Sequence, residues 1–157
     1  MKFTHKGPIL TTDIIIEYSQ NEKEGIILVE RKYFPLGLAL PGGLAELGLT
    51  LEENAIKEAK EETNLEIRIE NPEHPLCVHS SPKRDPRGHL VSTTFIAQGT
   101  GNLKGGDDAK KANLYSIEEI EKLLGNGSFA FKDHERAIKE YLEYRGYLKW
   151  KLMEELD

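Results

Sequence analysis

The sequence predicts a mixed α/β (α+β) domain in which helices cover the faces of a mixed sheet. Three observations predict it. Segments rich in β-branched or alternating apolar residues recur along the chain, one long helical pattern stands in the middle, and an amphipathic helical pattern stands near the end. The 157 residues suit one domain, expected to span 1–157. A chain of this length buries enough surface to fold without a disulfide or a metal staple.

Residues 12–18, TDIIIEY, are predicted as a strand from their β-branched density. Residues 25–31, GIILVER, form a second, mostly buried strand, and the polar turn 19–24 makes the two a hairpin. A short apolar run at 38–40 is stopped by Pro41-Gly42-Gly43. Thr50 is an N-cap with Glu53 as its capping-box partner, and the helix it opens runs to about Thr63. Asn64 suits the left-handed cap at the end of that helix. Residues 65–70 alternate as LEIRIE, a half-buried strand. Further strands are expected at 76–79, 90–98 and 113–115, with a Gly and Asp-rich loop at 99–109. Ser116 caps a short helix with Glu119 at the capping-box position. A last helix starts at Asp133, read as its cap, and buries Ala137, Ile138, Tyr141 and Leu142, with Gly146 as an interruption.

Composition excludes several classes. The net charge is −6, so binding to duplex nucleic acid by phosphate neutralisation is not expected. A small anionic ligand stays open, because a divalent cation inverts the charge of a local carboxylate cluster. No apolar run reaches the roughly 20 residues of a membrane helix. The first ten residues lack the apolar stretch of a signal peptide, and a cytoplasmic setting is the expectation. The single cysteine, Cys77, excludes an intramolecular disulfide and a multi-cysteine zinc ribbon; it is expected as a small buried hydrophobe.

The stretch 41–65, PGGLAELGLTLEENAIKEAKEETNL, carries the chemistry. In helical projection Glu58, Glu61 and Glu62 fall within about 100° of one another. Leu51, Ala55, Ile56 and Ala59 occupy the neighbouring sector, expected to pack, and Lys57, Lys60 and Glu53 lie on the far side. Like charges at these spacings repel by roughly 0.2–0.5 kcal/mol per exposed pair. A hard cation reverses that sign, since Mg²⁺ and Mn²⁺ prefer oxygen ligands. The alternative is a solvated charged face with Lys57 pairing Glu61. Gly42 and Gly43 at a strand end let the backbone approach a ligand or metal.

This stretch resembles the Nudix box, whose pattern is G-x5-E-x7-R-E-U-x-E-E-x-G-U with U aliphatic. Gly43 matches the opening glycine, Glu58, Glu61 and Glu62 the late glutamates, and Ala59 and Leu65 aliphatic positions. Three positions depart: Leu49 stands at the first glutamate, Lys57 at the arginine and Asn64 at the late glycine. In the family the first two help orient the metal-site glutamates. The resemblance implies an α/β/α sandwich with a catalytic helix and a C-terminal helix on the faces of a mixed sheet. It also implies hydrolysis of a nucleoside diphosphate linked to another group. Glu58, Glu61 and Glu62 would then be catalytic, holding Mg²⁺ (or Mn²⁺) together with Gly43. A homodimer and a nucleotide substrate are implied as partners, with no membrane and no nucleic acid.

Residues 80–99, SSPKRDPRGHLVSTTFIAQG, put three basic residues and two prolines in a short loop before a strand. The composition fits either a rigid solvated turn or a preorganised arm whose Arg84 or Arg87 clamps phosphate or carboxylate. With the Gly-Gly-Asp-Asp-Ala run at 105–109, it resembles the ADP-ribose pyrophosphatase branch of the family. That resemblance implies Arg84, Arg87 and Asp108 as substrate-binding residues and ADP-ribose, cleaved to AMP and ribose 5-phosphate, as substrate. The alternatives are hydrolysis of an oxidised dNTP or a dinucleoside polyphosphate, or an ADP-ribose-binding module without turnover. Tyr33 and Phe34 fit adenine stacking as well as core or dimer contacts, and Trp150 is expected to pack.

Overall fold

A computed structural model describes residues 6–104 and 111–147. Within them the chain runs β1 (Ile9–Gln20), β2 (Lys23–Arg31), β3 (Gly37–Ala39), β4 (Gly42–Leu44), α1 (Leu51–Thr63), β5 (Glu66–Ile69), β6 (Cys77–His79), β7 (Leu90–Thr100), β8 (Lys111–Tyr115), α2 (Ile117–Leu123) and α3 (Lys132–Tyr144). All the strands belong to one mixed sheet with the order β3-β2-β1-β7-β5. β4 adds to β1, β6 to β7 and β8 to β2. β1 lies parallel to β7, with Asp13 opposite Thr94, and every other pairing is antiparallel.

The β1–β2 hairpin is longer than the pattern predicts, and its turn shrinks to Asn21 and Glu22, both with positive φ. The central strands are buried on both faces, which explains their near-continuous apolar runs. Successive side chains alternate between two cores. Ile14, Ile16, Ile27, Val29 and Phe95 pack under Ala55 and Ala59 of α1. Ile15, Ile26, Leu28 and Ile96 pack on the other face against Ile120 of α2 and Ala137, Ile138, Tyr141 and Leu142 of α3. The helices therefore cover both faces, as expected.

Both capping boxes form. Thr50 and Glu53 cap α1, Ser116 and Glu119 cap α2, and Asn64 closes α1 in the left-handed conformation at φ 65°. Four expectations change. Pro41-Gly42-Gly43 does not simply stop the chain: Gly42–Leu44 pairs antiparallel with β1. Ile56 does not join the packed stripe and is 42% exposed, while the polar Asn54 and Thr63 are fully buried in its place. Lys57 does not face away, since its ammonium reaches Glu46 and Glu61. Asp133 does not cap α3, which starts one residue earlier with Phe131 at its N-cap and no side-chain cap. Asp108, the rest of the 105–109 run and Trp150 lie outside the described residues.

Candidate active site

A cleft of about 330 Å³ opens between the β3–β4 segment, the loop before β7 and the start of α3. Its lining includes Gly42, Gly43 and Glu62 on one side and Arg31, Arg84 and Arg87 on the other. Tyr33, Phe34 and Phe131 add aromatic surface. Tyr33 and Phe34 are mostly exposed at its mouth. The guanidiniums of Arg31 and Arg87 sit 5.1 and 5.6 Å from the centre of the Phe131 ring. An acidic chain thus gathers cations here, the arrangement that draws an anionic ligand into a low-dielectric cleft.

The carboxylate side is built by α1. Asn54, in its first turns, donates to Thr12 Oγ1 at 2.8 Å and accepts the Glu46 amide at 3.1 Å. This staples the helix to β1 and to the strand-to-helix loop. Glu62 is buried, and its Oε2 accepts the Gly42 amide at 3.1 Å. Glu58 lies against Gly43 so closely that a Cβ there would sit 2.5–2.6 Å from the carboxylate. Another Cβ at Gly42 would meet Thr12 O at 2.1 Å. Both glycines are therefore fixed by close approach of the chain's own atoms, whereas the sequence suggested approach to a ligand or metal. Glu61 is exposed and pairs with Lys57 at 2.5 Å. The three carboxylates do not bring one oxygen each within 4.8 Å of the others.

Lys57 Nζ also meets Glu46 at 2.8 Å. Hydrogen bonds donated to Glu46 and then to Glu61 hold the lysine above its ordinary range. Glu46 thus supplies a carboxylate partner to position 57, the service that Leu49 cannot give. Leu49 is 37% exposed, and its amide reaches Glu46 O at 3.3 Å.

The opposite wall rests on a buried polar network that the sequence did not reveal. Asp13 of β1 accepts the Ser92 hydroxyl and lies 3.4 Å from His134 Nε2. His134 Nδ1 accepts the Leu40 amide at 3.0 Å, so the neutral ring carries its proton on Nε2, toward Asp13. Burial opposes ionisation of Asp13, yet His134, the Ser92 hydroxyl and Arg84 together hold its carboxyl below the usual range. Arg84 is not a free arm. Its side chain is 5% exposed and binds Asp133 Oδ2 at 2.7 Å through Nε. Its Nη1 is buried at the cleft wall with no partner among the described residues. Arg87 is 44% exposed and forms a two-pronged pair with Asp85, at 3.0 and 2.8 Å. Burial raises the Asp85 carboxyl, but the Arg87 bonds outweigh it and hold it below its ordinary range.

Of the residues expected at the site, Gly43, Glu62, Arg84 and Arg87 line this cleft. Glu58 reaches it through its contact with Gly43, whereas Glu61 is not among the lining residues and pairs with Lys57 on the exposed side of α1. Asp13 and His134 join them. In the sequence Asp13 stands only as a charge ahead of the apolar run 14–16, and His134, set among charged residues, stands out only because FKDHERAI at 131–138 resembles the start of the last helix in the ADP-ribose pyrophosphatase branch.

A glutamate-bearing helix against a glycine pair, under a sandwich of this topology, defines a class, and comparison names it. The chain belongs to the NUDIX family of pyrophosphohydrolases: the NUDIX domain model matches residues 10–134. Among its relatives is an ADP-ribose pyrophosphatase from Methanocaldococcus jannaschii, 42% identical over 141 residues, covering 88% of this chain and 75% of that protein. A MutT/nudix family protein from Enterococcus faecalis superposes with a TM-score of 0.71 at 27% identity, over 92% of this chain and 64% of that one. The NUDIX domain of Shewanella oneidensis NrtR, complexed with ADP ribose, shares the fold with a TM-score of 0.72 at 19% identity, over 90% of each chain.

Proposed function

We propose that this chain is an ADP-ribose pyrophosphatase that uses a divalent cation and yields AMP and ribose 5-phosphate. The observation that carries the proposal is the cleft itself, with oxygen donors on one wall and three arginines and aromatic rings on the other. A relative named ADP-ribose pyrophosphatase at 42% identity supports the choice of substrate.

The donor set fits a hard cation. Glu58 and Glu62 offer only oxygen, and the absent side chain of Gly43 leaves a cradle beside Glu58. Glu58, Glu61, Glu62 and the Gly43 carbonyl would hold Mg²⁺ or Mn²⁺. Such an ion supplies charge neutralisation at the pyrophosphate. The chain's own residues do the rest. Arg31 and Arg87 attract the diphosphate, Arg87 through the part of its guanidinium that its two-pronged pair with Asp85 does not use. Tyr33 and Phe34 offer a stacking surface to a base at the cleft mouth. In hydrolysis a water oxygen bonds to one phosphorus, the bond from that phosphorus to the bridging oxygen breaks, and the bridging oxygen leaves with the other phosphoryl group. Positioning supplies much of the rate in such a reaction.

We also infer a homodimer, on the exposed Leu36, Tyr33 and Phe34 near the cleft mouth and Ile9, Leu10 and Leu44 on β1 and β4. A cytoplasmic setting remains part of the proposal. No helix among the described residues is long and apolar enough to cross a membrane.

The deciding experiment gives purified protein and Mg²⁺ a panel of ADP-ribose, ADP-glucose, NADH, 8-oxo-dGTP and diadenosine polyphosphates. ADP-ribose is expected to show the highest kcat/KM. A preference for triphosphates overturns the substrate assignment, and binding of ADP-ribose without turnover selects the non-catalytic module. Arg87→Ala should raise the KM for ADP-ribose more than it lowers Tm.

A further inference from the structure

A second group of ligating side chains stands away from the cleft. Cys77 and His79 are alternate residues of β6, so both project to the face covered by α3. Glu140 of α3 faces them. Cys77 Sγ lies 3.9 Å from His79 Nδ1, and the other ring nitrogen, Nε2, lies 3.5 Å from Glu140 Oε1; a shared cation takes one of the two nitrogens. One ligating atom from each residue lies within 4.8 Å of the others, and among the described residues this is the one such convergence of three. None of the three lines the cleft.

We propose that Cys77, His79 and Glu140 form a binding site for a borderline-soft divalent cation of the Zn²⁺ type, distinct from the glutamate helix. A tetrahedral zinc with sulfur, nitrogen and oxygen ligands needs them about 3.3–3.6 Å apart. Closing from the observed separations takes a shift of about an ångström. Glu140 is exposed enough to make it, with its side chain 45% accessible. A thiolate and an imidazole select against Mg²⁺, whereas the carboxylates of α1 favour it, so the two sites sort ions by softness. Three protein ligands leave a fourth position for water. Burial, aided by Glu140, pushes the free Cys77 thiol up to about 12, and the cation displaces that proton when it binds.

The placement gives the ion a mechanical role. His79 is followed directly by the loop that carries Arg84 and Arg87 to the cleft. That loop is closed at its base by His89 Nε2 against Ser80 O at 3.0 Å. His79 pairs with Ser92, whose hydroxyl binds Asp13. An ion here ties β6, held in the sheet by β7 alone, to α3 and fixes the base of the arginine loop.

The chain has one cysteine, so any sulfur-to-metal charge-transfer band reports on Cys77. Reduced, metal-stripped full-length protein in excess Mg²⁺ is titrated with Co²⁺. The expected result is a thiolate–cobalt band that saturates at one equivalent and is displaced by Zn²⁺. Cys77→Ser should abolish the band. His79→Gln and Glu140→Gln should weaken Co²⁺ binding at least tenfold, since even outer-shell changes cost about 10–100-fold. Glu140→Gln alters an exposed side chain, so it tests the site independently of folding. No band in the wild type overturns the proposal. So does a band whose Co²⁺ affinity is unchanged in both the His79 and Glu140 variants, because that outcome means a cation resting on sulfur alone.

Discussion

Two clusters of charge flank the cleft, and they are held on opposite terms. On α1, Glu58, Glu61 and Glu62 come from one helix within two turns, with Glu61 paired to Lys57 and Glu62 accepting the Gly42 amide, and like charges at these spacings repel. Across the cleft, Asp13, Ser92, His134, Arg84 and Asp133 come from β1, β7, α3 and the loop between β6 and β7, and each charge already has its partner. The first cluster is the one proposed to take a cation. The second is buried and paired internally, with Arg84 Nη1 and Asp133 Oδ1 left over among the described residues, and it positions backbone: His134 holds the Leu40 amide, two residues before the Gly42 amide that Glu62 holds. Functional charge and structural charge thus meet at one short segment, Leu40 to Gly43. Arg84, expected as a substrate clamp, belongs mainly to the buried cluster.

That assignment can be broken at its strongest point. Arg84→Ala leaves Asp133 buried and uncompensated, at a cost of about 3–5 kcal/mol in urea unfolding. The paired replacement Arg84→Met with Asp133→Leu should recover most of that loss, because it removes both charges. A stability near wild type for Arg84→Ala would return Arg84 to the role of a free arm.

The α1 cluster should show the converse. Glu58→Gln keeps size and contact with Gly43 but removes a charge from the cation's surroundings. It should lower kcat about 10²–10³-fold, the scale of losing one preorganised electrostatic group. Urea unfolding without metal should show stability kept or slightly raised, since like-charge repulsion falls. Loss of folding in step with activity would mean that Glu58 is structural too.

Acid separates the clusters a third way. Asp13 has its folded pKa below the unfolded value of about 3.9, so its contribution is fully present above that value. The contribution is lost as pH falls through the folded pKa. Asp85 is depressed in the same direction. Wild-type stability should therefore fall below about pH 5, and Asp13→Asn should flatten that limb while lowering stability at pH 7. Urea midpoints at pH 7, 5 and 3 measure it; parallel curves would show that Asp13 does not ionise differently on folding.

What the sequence could disclose follows the same division. The α1 carboxylates share one helix, so their spacing alone showed their common face. Thr50, Glu53 and Asn64 marked its ends by local hydrogen-bond chemistry. The Asp13 network needed the parallel β1–β7 register and the entry of α3, which bring together residues 79 positions apart or more. No local period encodes those. Asn54 was hidden for a related reason: a polar residue in the helix gave no sign that Thr12 and the Glu46 amide would satisfy it. Ile56 failed in the other direction, because hydrophobic character alone did not fix which edge of the apolar sector would meet the sheet. Asp133 stood where a cap belongs, and the buried guanidinium of Arg84 claimed it instead.

The smallest expected effect concerns Leu49. Leu49 and Lys57 stand where the family pattern has a Glu–Arg pair, and from the sequence alone restoring both residues is expected to gain more than the sum of the single changes. The structure alters that expectation. Lys57 already lies between Glu46 and Glu61, so a new carboxylate at position 49 finds its cation engaged. Leu49→Glu should therefore change kcat/KM by less than about threefold. Combined with Lys57→Arg, it should be additive within about 0.5 kcal/mol in the activation free energy. Coupling should appear instead between Glu46→Gln and Lys57→Met, since the two side chains pair directly and Lys57 also holds Glu61. The two double-mutant cycles, run on kcat/KM at saturating Mg²⁺, place the orienting partner of Lys57 either at position 46 or at position 49. Strong coupling at 49 with none at 46 would show that the Glu46–Lys57 pair is only surface charge.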